Sequence, residues 1–459
     1  MKSKWADDER DVEDAARRKR EKEEKKRAKA EKQRRQDEEQ ARTKQSMTLQ
    51  GTIQDEDSRP NKRRRLSQDG QDNDSANTTP LLRFEAPGWS PSQTVAEFET
   101  LNPIEEGTYG FVSRARSRAT GEIVALKKMK LDQPSYGFPV TALREIQTLQ
   151  LARHRNIVEL KEVVVGDSSN KLAADDVYLV MEFAAHDLKS LLEDMSEPFL
   201  SSEVKTLMLQ LTSALAFLHD NWILHRDLKT SNILLNSEGC LKLADFGMAR
   251  LTSSPAPPNL TSLVVTLWYR GPELLLGATT YGFAVDMWSL GCVFGELLTR
   301  EPLLQGRNEV DQLSKIFGLV GLPSDSNWPG FRRLPNAKTL KIPARPPSNS
   351  ARGSLRETFS FLSPAAFELL RDLITLDPEA RPTAADVSDH RYFQEPPRPK
   401  AEELMPTFPS KAGLEKRRAR RTPNAPVRGE GLAKVVDFSG LVIGKDTEAK
   451  GAEFQLKMG

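Results

Sequence analysis

"HRDLKTSN", residues 225–232, gathers His225, Arg226, Asp227, Lys229 and Asn232 into one short run. Neither the helical nor the strand period asks for an acid, a cation and an amide two and five residues apart. A loop that offers one reacting phosphate a proton acceptor, a cation and a metal ligand does ask for it. Upstream, "EEGTYGFV" (105–112) lies between two candidate strands, where Gly107 and Gly110 would let the backbone approach phosphates and Val112 would cover a base. Glycines there also suit an ordinary hairpin.

Next comes "VALK", which puts Lys127 on a strand suited to burial. An unpaired buried ammonium is costly, so an acidic partner is expected, and Glu145 stands in the following helical segment. The alternative is a lysine snorkelling from a strand edge. Downstream, "LADFGMAR" sets Asp245 before Gly247, which permits an abrupt turn. Singly, Asp245 reads as a turn residue and Asn232 as a loop cap. In this order, with the proline–glutamate of "RGPELL" after them, they make up the protein-kinase signature set. This resemblance implies that Asp227 accepts or orients the substrate hydroxyl proton and Lys229 neutralises γ-phosphoryl oxygens. It also implies magnesium on Asn232 and Asp245, and ATP phosphates positioned by Lys127 through Glu145.

The segment "PVTALRE" (139–145) carries a narrower likeness, together with "DNWILHRDLKTSN", "VVTLWYRGPELLLGA" and "VDMWSLGCVFGELL". The chain resembles cyclin-dependent kinases, and most of all their PITSLRE subgroup, over about 80–459. The resemblance implies a nucleotide site built from Ile104, Glu105, Glu106, Gly107, Thr108, Tyr109, Gly110, Phe111 and Val112, with Ala125 and Lys127. Met181 would be the gatekeeper, Glu182 and Ala184 the hinge, and Leu234 the floor of the base pocket. Thr261 matches the activation-loop phosphoacceptor, and Arg144, Arg226 and Arg250 match the cluster that would hold its phosphate; Thr108 and Tyr109 match sites of inhibitory phosphates. Glu105 replaces the first glycine of the phosphate loop, and Gly271 the alanine before Pro272-Glu273, whose glutamate should pair with Arg381. A cyclin partner of the L type, protein substrates and nuclear work on transcription or pre-mRNA splicing are implied.

Apolar alternation in "IVALKKM" and "VYLVMEF" suggests strands and the spacing in "SSEVKTLMLQLTSALAFLHD" a helix opened at Ser201 with Glu203 soon after, which makes an α+β chain with charged tails. The chain holds 459 residues with net charge +2, two cysteines and five histidines without ligand spacing. No run of about 18 apolar residues suggests a membrane span, and "MKSKWADDERD" lacks a secretory apolar stretch, so an intracellular soluble protein is expected. Residues 1–46 carry 17 Lys/Arg and 13 Asp/Glu, with Glu21–Lys25, Glu23–Arg27 and Glu31–Arg35 at helical spacing but no apolar face. A disordered tail is expected over 1–80, in which Lys62, Arg63, Arg64 and Arg65 form a nuclear-import or nucleic-acid patch. Residues 98–393 read as a bilobal kinase domain, strand-rich before helix-rich, with 98–183 the smaller lobe. Residues 394–459, with "EKRRARR" at 415–421, read as an extended Pro- and charge-rich extension on the domain surface. Two rivals are a pseudokinase scaffold, opposed by intact Lys127, Asp227, Asn232 and Asp245, and an assembly factor whose basic tails contact nucleic acid or ribonucleoprotein. A kinase switched by a T-x-Y loop is opposed by Leu263 two residues after Thr261.

Overall fold

A computed structural model describes residues 92–106, 110–130, 138–166, 176–262, 264–340 and 353–408. The expectations on both tails, the charged helix and the basic runs at 62–65 and 415–421 lie outside these residues, as do Gly107, Thr108 and Tyr109.

The smaller lobe is an antiparallel sheet in the order β1-β2-β3-β5-β4. Its strands are β1 (Phe98–Glu106), β2 (Gly110–Ser117), β3 (Ile123–Met129), β4 (Leu160–Val165) and β5 (Val177–Glu182). Alternation within them buries Phe98, Ala115, Val124, Leu126, Val164 and Val180 in a small core on one face. At the start of β2 the backbone passes so close to β3 that a Cβ on Gly110 would overlap the Lys128 carbonyl oxygen. That glycine therefore serves strand packing, whatever it also does for a phosphate. Helix α1 (Val140–Leu151) lies between β3 and β4, opened by Pro139, whose extended backbone stands at the N-cap. It buries Ala142, Glu145, Thr148 and Leu149 and leaves Val140, Leu143 and Leu151 exposed. An amphipathic helix thus carries a carboxylate on its inward face, the side turned to Lys127.

The larger lobe is helical. After β6 (His186–Asp187) come α2 (Leu188–Asp194) and α3 (Ser201–Asp220). The sequence places the start of α3 at Ser201 with Glu203 near it, and Glu203 Oε2 accepts the Leu200 N–H at 2.8 Å, satisfying one of the open amides of the first turn. Short strands β7 (Ile223–Leu224), β8 (Ile233–Leu235), β9 (Leu241–Leu243) and β10 (Arg250–Leu251) bracket the 225–232 and 245–248 stretches. They are followed by α4 (Pro272–Leu275), α5 (Ala284–Thr299), α6 (Glu309–Val320), α7 (Leu355–Thr358), α8 (Pro364–Leu373) and α9 (Ala384–Ser388). Helix α5 is buried almost all round, and Gly291 lets it approach α8 so closely that a Cβ would lie 2.7 Å from Ile374 and 2.9 Å from Leu373. Arg381 clamps Glu273 with two bonds of 2.7 Å, and its guanidinium lies over the Trp288 ring. No helix among the described residues is long and apolar enough to cross a membrane.

Residues 395–408 pack on this lobe as a strap. Lys205, only 2 % exposed, donates to the carbonyls of Glu395 at 2.7 Å and Pro397 at 2.8 Å. Thr206 donates to the Lys400 carbonyl at 2.6 Å, and Lys400 pairs with Glu203 at 2.8 Å. Met405 is buried against Gly239, and Phe408 meets Phe199 and His186 edge-on. The start of the expected surface extension is therefore built into the folded body.

Candidate active site

Strand β3 delivers Lys127 inward, opposite Val112 on β2 and Leu179 on β5. Its Nζ lies 2.6 Å from Glu145 Oε1 and 3.1 Å from Asp245 Oδ1. The partner demanded by a buried ammonium is thus found twice over. Burial works against the charge of Lys127, but Asp245 and Glu145 together hold its pKa above the ordinary lysine range. Burial pushes the Glu145 carboxyl up against the pull of Lys127. At Asp245 burial is again the opposing influence, and Lys127 with Lys229 behind it overcomes it and holds the carboxyl below the usual range. Asp245 has φ 62° and ψ 77°, a left-handed conformation uncommon outside glycine. Such backbone persists where surroundings enforce it, here between β9 and the buried Phe246, whose ring meets His225 edge-on.

The 225–232 stretch forms one hydrogen-bonded loop between β7 and β8. Asp227 Oδ1 accepts the Thr266 hydroxyl at 2.8 Å and the Thr266 N–H at 3.1 Å. Its Oδ2 accepts Lys229 Nζ at 2.9 Å and Asn232 Nδ2 at 3.2 Å. Asn232 Nδ2 also donates to the Asp227 carbonyl at 2.8 Å, so both amide hydrogens are committed and Oδ1 is the end left to face the cleft. His225 Nδ1 accepts the Asp227 N–H at 3.3 Å, so its Nε2 carries the proton and donates to the Ala244 carbonyl at 3.2 Å.

Beneath the loop lies Asp286, fully buried at the start of α5, which sequence reasoning did not single out. Its carboxylate accepts the backbone N–H groups of His225 at 3.0 Å and Arg226 at 2.9 Å, with His219 Nε2 at 3.2 Å. Burial opposes its charge, but the His219 bond and the neighbouring donors hold the carboxyl below the ordinary range. The available signal was one carboxylate inside the apolar run "VDMWSLGCVF", which cannot be buried without donors. Thr266 was equally unread, since a threonine beside an apolar run carries no mark of its partner.

The nucleotide-site positions divide. Ala125 faces Met181 across β3 and β5, and Leu234 is half-buried on β8. The Glu182 N–H is taken by the Glu159 carbonyl at 3.1 Å, which restricts that hinge position to its carbonyl. Its carboxylate binds Lys242 and the Glu159 N–H, both at 2.9 Å. Ala184 N–H and C=O are engaged by none of the described residues. Open backbone groups at Ala184, apolar walls from Ala125 and Leu234, and hard oxygens at Asn232 and Asp245 form a donor set that fits a nucleotide and a divalent cation. Ile104 is exposed on β1, and Glu105 and Glu106 pair with Val112 and Phe111 in register.

The regulatory positions are only partly joined. Arg226, with φ 63°, donates to the Met248 carbonyl at 2.8 Å and to Tyr281 OH at 3.1 Å. Tyr281 OH in turn donates to the Thr261 carbonyl at 2.7 Å, which ties Arg226 to the exposed Thr261 segment. Arg144 is exposed on α1 and Arg250 sits on β10; no bond among the described residues joins either of them to Arg226.

The protein kinase domain family matches residues 98–393. Cyclin-dependent kinase 11B of Homo sapiens is 45 % identical over 84 % of this chain and 49 % of its own length. Cyclin-dependent kinase 11B of Rattus norvegicus is 47 % identical over 79 % of the chain and 82 % of its own length. Serine/threonine-protein kinase ppk23 of Schizosaccharomyces pombe is 51 % identical over 72 % of the chain and 81 % of its own length. The chain spans about half the length of several of the curated relatives it matches, the human one among them. With the family profile covering most of the chain, the chain belongs to the protein-kinase family, in the cyclin-dependent serine/threonine branch that includes the PITSLRE kinases.

Proposed function

We propose that this protein is a cyclin-dependent serine/threonine kinase that transfers the γ-phosphoryl group of magnesium-ATP to serine or threonine followed by proline in nuclear proteins. The observation that carries the reading is the dressing of Asp227. Thr266 fixes one carboxylate oxygen, Lys229 and Asn232 the other, and so the group is aimed rather than free to rotate. Asp227 takes the proton as the acceptor hydroxyl oxygen bonds to phosphorus and the bond to the ADP oxygen breaks. Lys229, beside it, balances the charge of the transferring group. Lys127 holds the α- and β-phosphates from the other side, braced by Glu145. Asn232 and Asp245 would hold magnesium, which supplies charge neutralisation between the phosphates when bound.

The choice of proline is supported by Val265. Its φ of 65° is an outlier for a β-branched residue, and its carbonyl is occupied by Arg270 Nε at 3.3 Å and Nη2 at 3.0 Å. A substrate N–H arriving there would find that acceptor taken, and proline has no N–H to leave unpaired. Cyclin dependence is supported by the names of the relatives and by exposed apolar side chains, Phe138 just before α1 and Val140, Leu143 and Leu151 on it. A partner seated there would favour the inward Glu145. Extending the reading to an L-type cyclin and to transcription or splicing rests on the subgroup resemblance. Nuclear import through Lys62–Arg65 and tail contact with ribonucleoprotein rest on composition. The test is a peptide-library profile of the purified chain titrated with candidate cyclins. Cyclin-stimulated transfer selective for proline after the acceptor is expected; transfer indifferent to both sinks the reading, and no Mg-ATP binding favours a scaffold.

A further inference from the structure

Thr230 sits inside the catalytic loop, between Lys229 and Asn232, and plays no part in the site described so far. Its hydroxyl donates to Glu296 Oε1 at 2.8 Å. Tyr269 OH and Glu296 Oε2 lie 2.6 Å apart, a hydrogen bond whose proton either oxygen can carry. The two hydroxyls also lie 3.1 Å from each other, where either can donate. All three side chains are buried, Glu296 with 2 % exposure.

Counting protons decides the state of this triangle. Three contacts need three protons to be hydrogen bonds, and the two hydroxyls bring two. An ionised Glu296 brings none, so the third contact would set two oxygens against each other with no proton between them. A protonated carboxyl brings the third and closes the ring: Glu296 donates to Tyr269, Tyr269 to Thr230, and Thr230 back to Glu296. No cation lies within ion-pair distance of Glu296 among the described residues to favour the anion. Lys189 and Glu193 on α2 act on it with opposite signs, and on its own helix Cys292 has a thiol that burial pushes up, keeping it neutral. Burial pushes the Glu296 carboxyl up to about 7, against the bonds from Tyr269 and Thr230.

The ring joins three parts of the site. Thr230 belongs to the loop of Lys229 and Asn232, and Tyr269 to the turn that starts after Thr266, the donor to Asp227. Glu296 belongs to α5, whose first turn carries Asp286. We propose that Glu296 is a positioning residue held as a neutral acid, whose proton closes the Thr230–Tyr269–Glu296 ring and locks the catalytic loop to the substrate-binding turn. Ionisation of Glu296 above neutral pH opens one side of the ring and loosens that lock. The effect on rate rests on the kinase reading; the ring itself does not.

Infrared spectra of the full chain, with E296Q as the reference, test the proton directly. Wild type should keep a protonated-carboxyl stretch at about pH 6, where ordinary carboxylates are ionised, lose it through neutrality, and differ there from E296Q. In steady-state kinetics with saturating peptide, kcat of the wild type should fall about three- to tenfold on the alkaline side, the worth of one buried hydrogen bond. E296Q, whose amide donates and accepts like the neutral acid without titrating, should lack that fall, whereas E296A should lower kcat across the range. An absent carboxyl band at about pH 6, or an identical alkaline fall in E296Q, overturns the proposal. If E296Q does not fold, Thr230→Val replaces it: loss of one corner should shift the band, and an unmoved band overturns the ring. A titrating band in a chain without transferase activity would refute the kinase reading and leave the ring standing.

Discussion

Replacing Thr266 with valine removes one hydroxyl and keeps the side-chain shape. In the structure that hydroxyl donates to Asp227 Oδ1 at 2.8 Å and accepts Lys229 Nζ at 3.3 Å, so it relays between the cation and the acid. The Thr266 N–H at 3.1 Å and the two donors on Oδ2 remain. One hydrogen bond to a charged group, worth about 1.5–3 kcal/mol, is therefore lost from the residue proposed to receive the proton. At about 1.4 kcal/mol per factor of ten, kcat should fall roughly 10- to 150-fold if the whole bond is needed in the transition state. KM for ATP should hardly move, because Thr266 makes no bond with Lys127, Glu145 or Asp245. The assay is steady-state transfer to a Ser-Pro peptide with ATP and peptide varied separately, alongside nucleotide binding by fluorescence. A kcat within about twofold of wild type, or a loss confined to KM for ATP, would refute the argument that Thr266 aims Asp227.

Asp227→Asn should nearly abolish transfer while ATP binding persists; near-normal turnover removes Asp227 from the chemistry. Asp286→Asn turns an acceptor toward two backbone N–H groups into a mixed donor and acceptor, so stability should drop by about 1–3 kcal/mol in denaturant titrations. Because burial is outweighed and the Asp286 carboxyl is held low, its stabilisation is present above the unfolded aspartate pKa and lost as pH falls through the lower folded value. The variant should therefore lose less stability than wild type on acidification, and parallel curves would count against this. Ending the chain after Phe393 removes Met405 and both carbonyl acceptors of the buried Lys205, which should cost on the order of 3 kcal/mol or more and lower the melting temperature. An unchanged melting temperature would mean the strap is passive. Thr261→Ala keeps the carbonyl bond to Tyr281, so a weaker response to cyclin in this variant would report the lost phosphoacceptor, and an equal response would show that the phosphate and the cyclin act separately.

Much of the site was legible in one dimension because its chemistry is built on short, unusual spacings. Asp227, Lys229 and Asn232 lie within one loop, and geometry that local survives almost any packing around it. Lys127 was legible for a different reason: an ammonium on an apolar strand requires an acid, and the chain offered Glu145 on the next helix. The structure supplies that pair and adds Asp245 to it. Apolar alternation likewise marks the strand-rich part of the chain, and helical spacing the helix-rich part.

What the sequence could not reveal were partners chosen across long separations. Asp286 caps amides 60 and 61 residues before it, and Thr266 meets Asp227 across 39 positions. No local period encodes such pairs; they exist because the core brings α5 beneath the catalytic loop and folds the 264–270 segment over it. The left-handed backbone at Val265 was hidden for the same reason, since a β-branched residue disfavours that conformation and only surrounding packing enforces it; Asp245, of a type that tolerates it, gave no sign by itself that it would adopt it. The strap beyond Phe393 looked like a polar extension because its anchors, Lys205 and Gly239, lie far upstream. Sequence determined which chemical groups are present and at what local spacing; tertiary packing decided which buried donor meets which acceptor, because an unpaired polar group in the core costs too much to be left to chance.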